Sequence, residues 1–115
     1  MITLYGIPNC DTVKKARAWL TARGIAHDFH DYKKAGIEVA TLERWAGVAD
    51  WEALLNRRGT TFRGLPEAEK ADLDGARAIA LMKTHPSLIR RPVVEGAGPL
   101  LIGFDETIWA ERLAG

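Results

Sequence analysis

The hydrophobic pattern at the start of the chain changes its period once, and this change predicts a strand followed by a helix. Ile2–Tyr5 is a run of apolar, β-branched and aromatic residues that ends at Gly6, which is typical of a short buried strand. Farther on, apolar residues recur at the spacing of one helix face, at Val13, Ala16 and Leu20. Gly24 fits the position just past the end of this helix.

The next segments predict a second strand and two helices. Ile25–Tyr32 alternates loosely in polarity and indicates a strand that returns parallel to the first one. Helical spacing then runs from Val39 to a break near Gly47, and Trp51–Leu55 is a second, shorter helical piece.

A polar stretch and a further helix follow. Asn56–Gly64 is basic, contains two glycines and is predicted to be a loop, either a solvated surface or the rim of an anion site. Gly75–Lys83 predicts a largely buried helix because most of its residues are apolar. Either Asp72 or Asp74 is placed to cap its first turn.

The last segments predict a hairpin and a closing helix. Leu88–Glu95 and Leu100–Ile102 are apolar runs joined by a glycine-rich turn, which indicates two antiparallel strands. Asp105 then caps the final helix, and Phe104 and Trp109 are placed to pack together as a hydrophobic staple.

This order of elements predicts the fold class. A βαβ unit followed by a ββα unit gives an α/β, thioredoxin-like mixed sheet, interrupted here by an all-helical insertion. We expect a single domain over residues 1–115, in which about 1–35 and 85–115 form the core and about 36–84 form the insertion.

Composition and charge exclude several classes of function. The chain has 115 residues, and its formal net charge of +1 provides no field that attracts nucleic acid or an anionic membrane. No apolar stretch approaches the roughly 20 residues of a membrane span, and the start resembles no signal sequence, so we expect a cytoplasmic protein. His27 and His30 lie on opposite faces of a predicted strand, so we expect no metal site.

The only cysteine, Cys10, lies in the turn between the first strand and the first helix. The free amides and the positive dipole end of that helix favour a thiolate there, and Lys14, Lys15 and Arg17 add cationic charge. Asp11 opposes this effect. We predict a reactive thiol of lowered pKa; the alternative is a buried cysteine that acts as a small hydrophobic residue. One cysteine forms no internal disulfide, so redox turnover needs a second thiol from outside.

Three segments, Tyr5–Arg17, Trp51–Arg63 and His85–Val94, together resemble the ArsC/Spx/YffB family, and most of all its YffB-like branch. The likeness covers essentially the whole chain. It implies a glutaredoxin-type thioredoxin fold with an all-helical insert. In the arsenate reductases of this family the cysteine attacks the oxyanion, arginines bind the anion, and glutathione completes the cycle with glutaredoxin. The resemblance therefore implies glutathione as a co-substrate with no bound cofactor, and glutaredoxin as a candidate partner.

The resemblance also assigns roles to individual residues. Cys10 matches the nucleophile, Arg91 matches one anion-binding arginine, and Pro92 matches the cis-proline that faces the active cysteine in such folds. The cis isomer is accessible because an X–Pro bond needs only about 0.5–1 kcal/mol to adopt it.

Other positions depart from the family pattern. Asn56 stands at the position of a second family arginine, with Arg57 beside it, and Gly103 stands at that of a third. Lys14 stands where arsenate reductases tend to have arginine. Lysine does not reproduce the bidentate contacts of a guanidinium, so these departures argue against arsenate reduction. We expect Lys14 and the loop residues Asn56, Arg57 and Thr60 to help bind and select a different substrate.

Three hypotheses follow from these residues. The first is a glutathione-linked thiol oxidoreductase, related to arsenate reductases, in which Cys10 is the nucleophile. The second is a non-enzymatic, Spx-like regulatory module that binds a protein through a surface formed by Trp45, Trp51 and the basic loop. Spx-type regulators carry Cys-x-x-Cys, whereas Val13 occupies the second position here, so their disulfide switch is absent. The third is arsenate reduction itself.

Overall fold

The computed structural model describes residues 2–113, which divide into two compact units. One unit consists of the residues up to Ala35 together with those from Arg91 onward, and the other is the segment Gly36–Arg90. The sequence predicts that the insertion ends near residue 84, but the backbone of Ile89 forms an antiparallel bridge with Leu55 and so belongs to the second unit. The assignment of the whole chain to a single domain stays a prediction.

The elements follow the predicted order of strand, helix and strand, then a block of helices, then two strands and a closing helix. In chain order they are β1 (Ile2–Gly6), α1 (Asp11–Ala22), β2 (His27–Asp31), α2 (Tyr32–Ala35), α3 (Val39–Ala49), α4 (Trp51–Leu54), α5 (Thr60–Arg63), α6 (Glu67–Lys70), α7 (Gly75–Thr84), a 3-10 helix (Pro86–Leu88), β3 (Val93–Glu95), β4 (Leu101–Ile102) and α8 (Glu106–Leu113).

The strands of the first unit form one mixed sheet in the order β2-β1-β3-β4. β1 pairs parallel with β2 and antiparallel with β3, so that Leu4 lies between Phe29 and Val94. β4 continues the sheet antiparallel to β3. The predicted parallel return and the predicted hairpin are both confirmed, and with them the thioredoxin-like arrangement.

One face of this sheet is covered by α1 and α8. Leu4 and Val94 of the sheet pack with α1 and α8 residues in a single apolar cluster. The buried members of the cluster are Leu4, Val13, Ala16, Trp19, Leu20, Val94, Leu101 and Trp109. The turn after α1 is closed by Gly24, whose φ of +69° is a left-handed conformation that favours glycine.

Both predicted features at the start of α8 are confirmed. Asp105 accepts hydrogen bonds at Oδ1 from the amides of Thr107, at 3.0 Å, and Ile108, at 3.1 Å. The rings of Phe104 and Trp109 meet edge to face with their centroids 4.8 Å apart, which is the expected staple.

The second unit has a helical core of its own. Its buried residues are Ile37, Leu42, Trp45, Leu54, Leu55, Leu65, Ala78, Met82, Leu88 and Ile89. Asp74, and not Asp72, caps α7 by accepting a 2.8 Å hydrogen bond from the amide of Arg77.

Three sequence-based expectations about local structure were wrong. The predicted loop Asn56–Gly64 contains the helix α5, which is too short to leave a periodic hydrophobic pattern. Helix α7 buries only Ala78 and Met82. Its other alanines lie at the surface, where they favour the helix through their high helix propensity and not through burial. The strand predicted to begin at Leu88 begins at Val93, after Pro92, which has no amide to donate to a sheet.

Within residues 2–113, no helix has both the length and the apolar character needed to cross a membrane.

Candidate active site

Cys10 occupies the N-cap position of α1, where the chain leaves the turn after β1. Its backbone is extended, with φ −102° and ψ 125°, and its carbonyl oxygen accepts the first helical hydrogen bond from the amide of Lys14 at 2.9 Å. The side chain is half-buried and packs against the apolar cluster of the first unit. The thiol is thus fixed in place and still reachable from solvent.

The first turn of α1 presents hydrogen-bond donors to the sulfur of Cys10. The thiol does not form the short side-chain cap of a serine or aspartate, but the amides of Val13 and Thr12 face it and favour its charged form. Partial burial alone raises the pKa of Cys10. The Val13 amide, the guanidinium of Arg91 and the Thr12 amide together outweigh that effect, so the pKa lies below its ordinary value.

Arg91 is the cation of this site. Its guanidinium donates a hydrogen bond to the sulfur of Cys10 and another to Tyr32, and the side chain is half-buried. Burial opposes the charge of Arg91, but its hydrogen bond to Cys10 and its electrostatic interactions with Tyr32 and Cys10 raise its pKa. The side chain therefore remains positive whatever the state of the thiol.

Pro92 follows Arg91 through a cis peptide bond and is buried. Its carbonyl oxygen accepts a 2.8 Å hydrogen bond from the amide of Gly103, whose own carbonyl accepts one of 3.1 Å from the indole nitrogen of Trp109. The backbone beside Arg91 is thus tied to the segment between β4 and α8.

Tyr32 belongs to the same cluster and was not predicted as a site residue. Its side chain is 0% exposed, and burial raises the pKa of its hydroxyl well above the ordinary range. The order of strands contains a signal that could have identified Tyr32. Tyr32 directly follows β2, which is parallel to β1, and the carboxyl ends of parallel strands meet at the edge of the sheet from which the chain runs on to Cys10.

Lys14 is placed differently from Arg91. Its side chain is exposed and lines a groove on the outer side of α1 together with Arg17, Thr21 and His27. Its role in anion binding stays a prediction.

The remaining predicted site residues belong to the second unit. Asn56 accepts a 3.0 Å hydrogen bond at Oδ1 from the amide of Arg58 and thereby stabilises a turn. The guanidinium of Arg57 lies 5.5 Å from the ring centroid of Trp51, within the range of a cation–π contact. Thr60 is exposed and begins α5. The proposed roles of Asn56, Arg57 and Thr60 stay predictions.

The two histidines of β2 have partners within the first unit. The ring of His30 lies 5.0 Å from that of Tyr5, and Nδ1 of His27 lies 3.0 Å from the carbonyl oxygen of Ile25. In the part of the chain that the structure describes, no cluster of three or more His, Cys, Asp or Glu side chains is arranged to hold a metal ion.

A mixed sheet with a cysteine at the start of its first helix and a cis-proline before β3 defines a thioredoxin-like protein. Residues 5–111 match the ArsC family, and the chain belongs to that family.

Individual relatives agree with this assignment. A solved structure of a YffB (PA3664) protein is 53% identical and superimposes with a TM-score of 0.95 over 98% of this chain and 99% of that chain. An arsenate reductase related protein from Brucella melitensis is 49% identical, with a TM-score of 0.76 over 97% of this chain and 93% of that chain. The global transcriptional regulator Spx of Streptococcus agalactiae is 29% identical over 92% of this chain and 78% of its own length.

Proposed function

We propose that this protein is a glutathione-linked thiol oxidoreductase in which Cys10 is the nucleophile. The observation that carries the proposal is the convergence of the Arg91 guanidinium and the first amides of α1 on one half-buried thiol. A thiol of lowered pKa is ionised at neutral pH to a greater extent, and the thiolate is the species that attacks disulfides.

The proposed reaction consists of two thiol–disulfide exchanges. The Cys10 thiolate attacks the glutathione sulfur of a mixed disulfide, so that a bond to glutathione forms, the original disulfide bond breaks, and the substrate leaves as a thiolate that takes a proton from solvent. A second glutathione, as thiolate, attacks the glutathione sulfur held on Cys10. This step releases glutathione disulfide and restores the Cys10 thiolate. Glutathione thereby supplies both electrons, and no second cysteine of this chain is needed.

Substrate binding in this proposal uses the groups around Cys10. The charge of Arg91 suits a carboxylate of glutathione, and the backbone before Pro92 suits pairing with its peptide part. The proposal also includes Lys14, for its positive charge in the first turn after Cys10, and the residues Asn56, Arg57 and Thr60 of the polar, basic loop. The proposal requires the cytoplasm, because glutathione is kept reduced in that compartment. The protein partner that we propose is glutaredoxin.

Mass spectrometry after incubation with glutathione disulfide is the direct test. We expect one glutathione on Cys10 and none on the Cys10→Ser variant. A peptide carrying a glutathione mixed disulfide should then be reduced catalytically by the wild type and not by the variant. A Cys10 that reacts no faster than free cysteine would contradict the proposal.

Two other results would support the competing functions. Stable modification without turnover would favour a regulatory module, although Trp45, which was expected in its docking surface, is only 1% exposed. Glutathione oxidation that depends on arsenate and glutaredoxin would show arsenate reduction. The name of the Brucella melitensis relative makes this assay a necessary control.

A further inference from the structure

We infer that Tyr32 is a positioning residue that holds the guanidinium of Arg91 against Cys10. The inference rests on the proposed function, because it assigns Tyr32 a part in the activation of the same thiol. The strand register brings the three residues to one edge of the sheet. At the end of β1, from which the chain runs on to Cys10, Gly6 pairs with Asp31, the residue before Tyr32, and Tyr5 pairs with Val93, two residues after Arg91. At this edge Arg91 donates one hydrogen bond to the sulfur of Cys10 and another to the hydroxyl of Tyr32.

The direction of the bond to Tyr32 follows from the chemistry of arginine. A guanidinium has five N–H donors and no acceptor, so the hydroxyl oxygen of Tyr32 must accept. The donors form a rigid planar fork, and fixing one arm on Tyr32 therefore restricts where the other arms point. Without this contact, the long side chain of Arg91 would regain rotamer freedom at the edge of the sheet.

The position of Tyr32 itself is fixed by its surroundings. Asp31, the last residue of β2, pairs with Gly6 at the end of β1, from which the chain runs to Cys10. Asp31 also accepts hydrogen bonds at Oδ1 from the amides of Lys33, at 3.0 Å, and Lys34, at 3.2 Å, which stabilise the first turn of α2. Tyr32 lies between these anchors and is completely buried, so its hydroxyl is a rigid support.

A tyrosine suits this task better than a carboxylate would. Aspartate or glutamate at the same place would also hold Arg91, but its negative charge would compete with the Cys10 thiolate for the guanidinium. Burial keeps the hydroxyl of Tyr32 neutral, because its pKa lies above the ordinary range. The positive charge of Arg91 is therefore held in place and remains directed at the sulfur.

The test is the pH profile of Cys10 alkylation by iodoacetamide in four proteins: wild type, Tyr32→Phe, Arg91→Gln and the double variant. We expect Tyr32→Phe to shift the profile to higher pH and to slow alkylation at neutral pH severalfold, with no effect on the rate at high pH. In the Arg91→Gln background the same substitution should change nothing, because the contact acts through Arg91. Equal shifts in both backgrounds, or no shift in either, would overturn the inference.

Tyr5→Phe is the matched control. It also removes a tyrosine hydroxyl from the first unit, one that donates a 2.9 Å hydrogen bond to Glu95, and it should leave the profile of Cys10 unchanged. A shift as large as that of Tyr32→Phe would show a general effect on the fold and refute the specific role.

A second measurement keeps the inference testable if Tyr32→Phe does not fold. Tyr5 and Tyr32 are the only tyrosines, so fluorotyrosine incorporated into the Tyr5→Phe protein reports on Tyr32 alone. Its fluorine resonance should shift as Cys10 ionises, and Arg91→Gln should remove most of that shift. An unaffected resonance would refute the inference. Failure of the proposed function would give a different result. The glutathionylated peptide would then not be turned over, while the alkylation profiles of wild type and Tyr32→Phe would still differ.

Discussion

Gly6 and Val13 approach each other so closely that a side chain on Gly6 has no room. A Cβ atom at Gly6 would lie 2.8 Å from Cγ2 of Val13, which real Cβ atoms essentially never do. Val13 is completely buried, and its β-branched side chain is stiff, so it has little freedom to move away. This contact joins the end of β1 to the first turn of α1 and so sets the path of the turn that carries Cys10.

Gly6→Ala should therefore destabilise the protein and disturb Cys10 together. We expect the free energy of unfolding to fall by about 1–3 kcal/mol, the usual effect of adding a methylene-sized group to a packed core. Urea unfolding measures this loss, and the rate of Cys10 alkylation measures the local effect. Gly47→Ala is the control, because nothing lies within 4 Å of that site in α3 and alanine favours a helix. A Gly6→Ala protein as stable as the Gly47→Ala protein would contradict the close approach.

The cap of α8 predicts a second effect on stability. Asp105→Ala removes the acceptor for two amides of the first turn and should lower the free energy of unfolding by about 1 kcal/mol. Asp105→Asn retains a capping oxygen and should remain close to wild type. Thermal unfolding of the three proteins distinguishes these outcomes. If both variants lost the same stability, the charge of Asp105 would matter more than the cap.

The fold was largely predictable because its signals are local. A strand-to-helix change of period, a glycine after α1 and the Asp105 cap each leave a pattern within a few residues. The short helix α5 and the surface of α7 left no such pattern, since four residues show no periodicity and alanine fits both core and surface.

The candidate site was predictable only in part, for a different reason. Cys10 was identifiable from its place before a helix and Arg91 only from a family resemblance, since no local pattern connects residues this far apart in the chain. Tyr32 was missed because a single aromatic residue at a strand end has many structural explanations. Its connection to Cys10 runs through Arg91 and becomes visible only when the parallel pairing of β1 and β2 is known.

Tyr32 also predicts how stability depends on pH in the alkaline range. Its pKa in the folded protein lies above its unfolded value of about 10. Above that pH the unfolded chain loses the proton and the folded protein keeps it, so the free energy of unfolding falls as pH rises. The contribution of Tyr32 is complete below the unfolded pKa and decreases by up to about 1.4 kcal/mol per pH unit above it. Urea titrations of wild type and Tyr32→Phe between pH about 9 and 11 should show a steeper fall for wild type; parallel curves would contradict a buried neutral hydroxyl.

Arg91→Gln gives the most direct test of the charge beside Cys10. Because the guanidinium lowers the pKa of the thiol, its removal should move the pH profile of alkylation upward and slow the reaction at neutral pH severalfold. At high pH, where Cys10 is a thiolate in both proteins, the two alkylation rates should converge. Arg90→Gln is the matched control, since this neighbouring side chain is exposed and its hydrogen bond to the carbonyl of Leu54 comes from the backbone amide. If Arg91→Gln and Arg90→Gln gave the same profile, the cysteine would owe its reactivity to α1 alone.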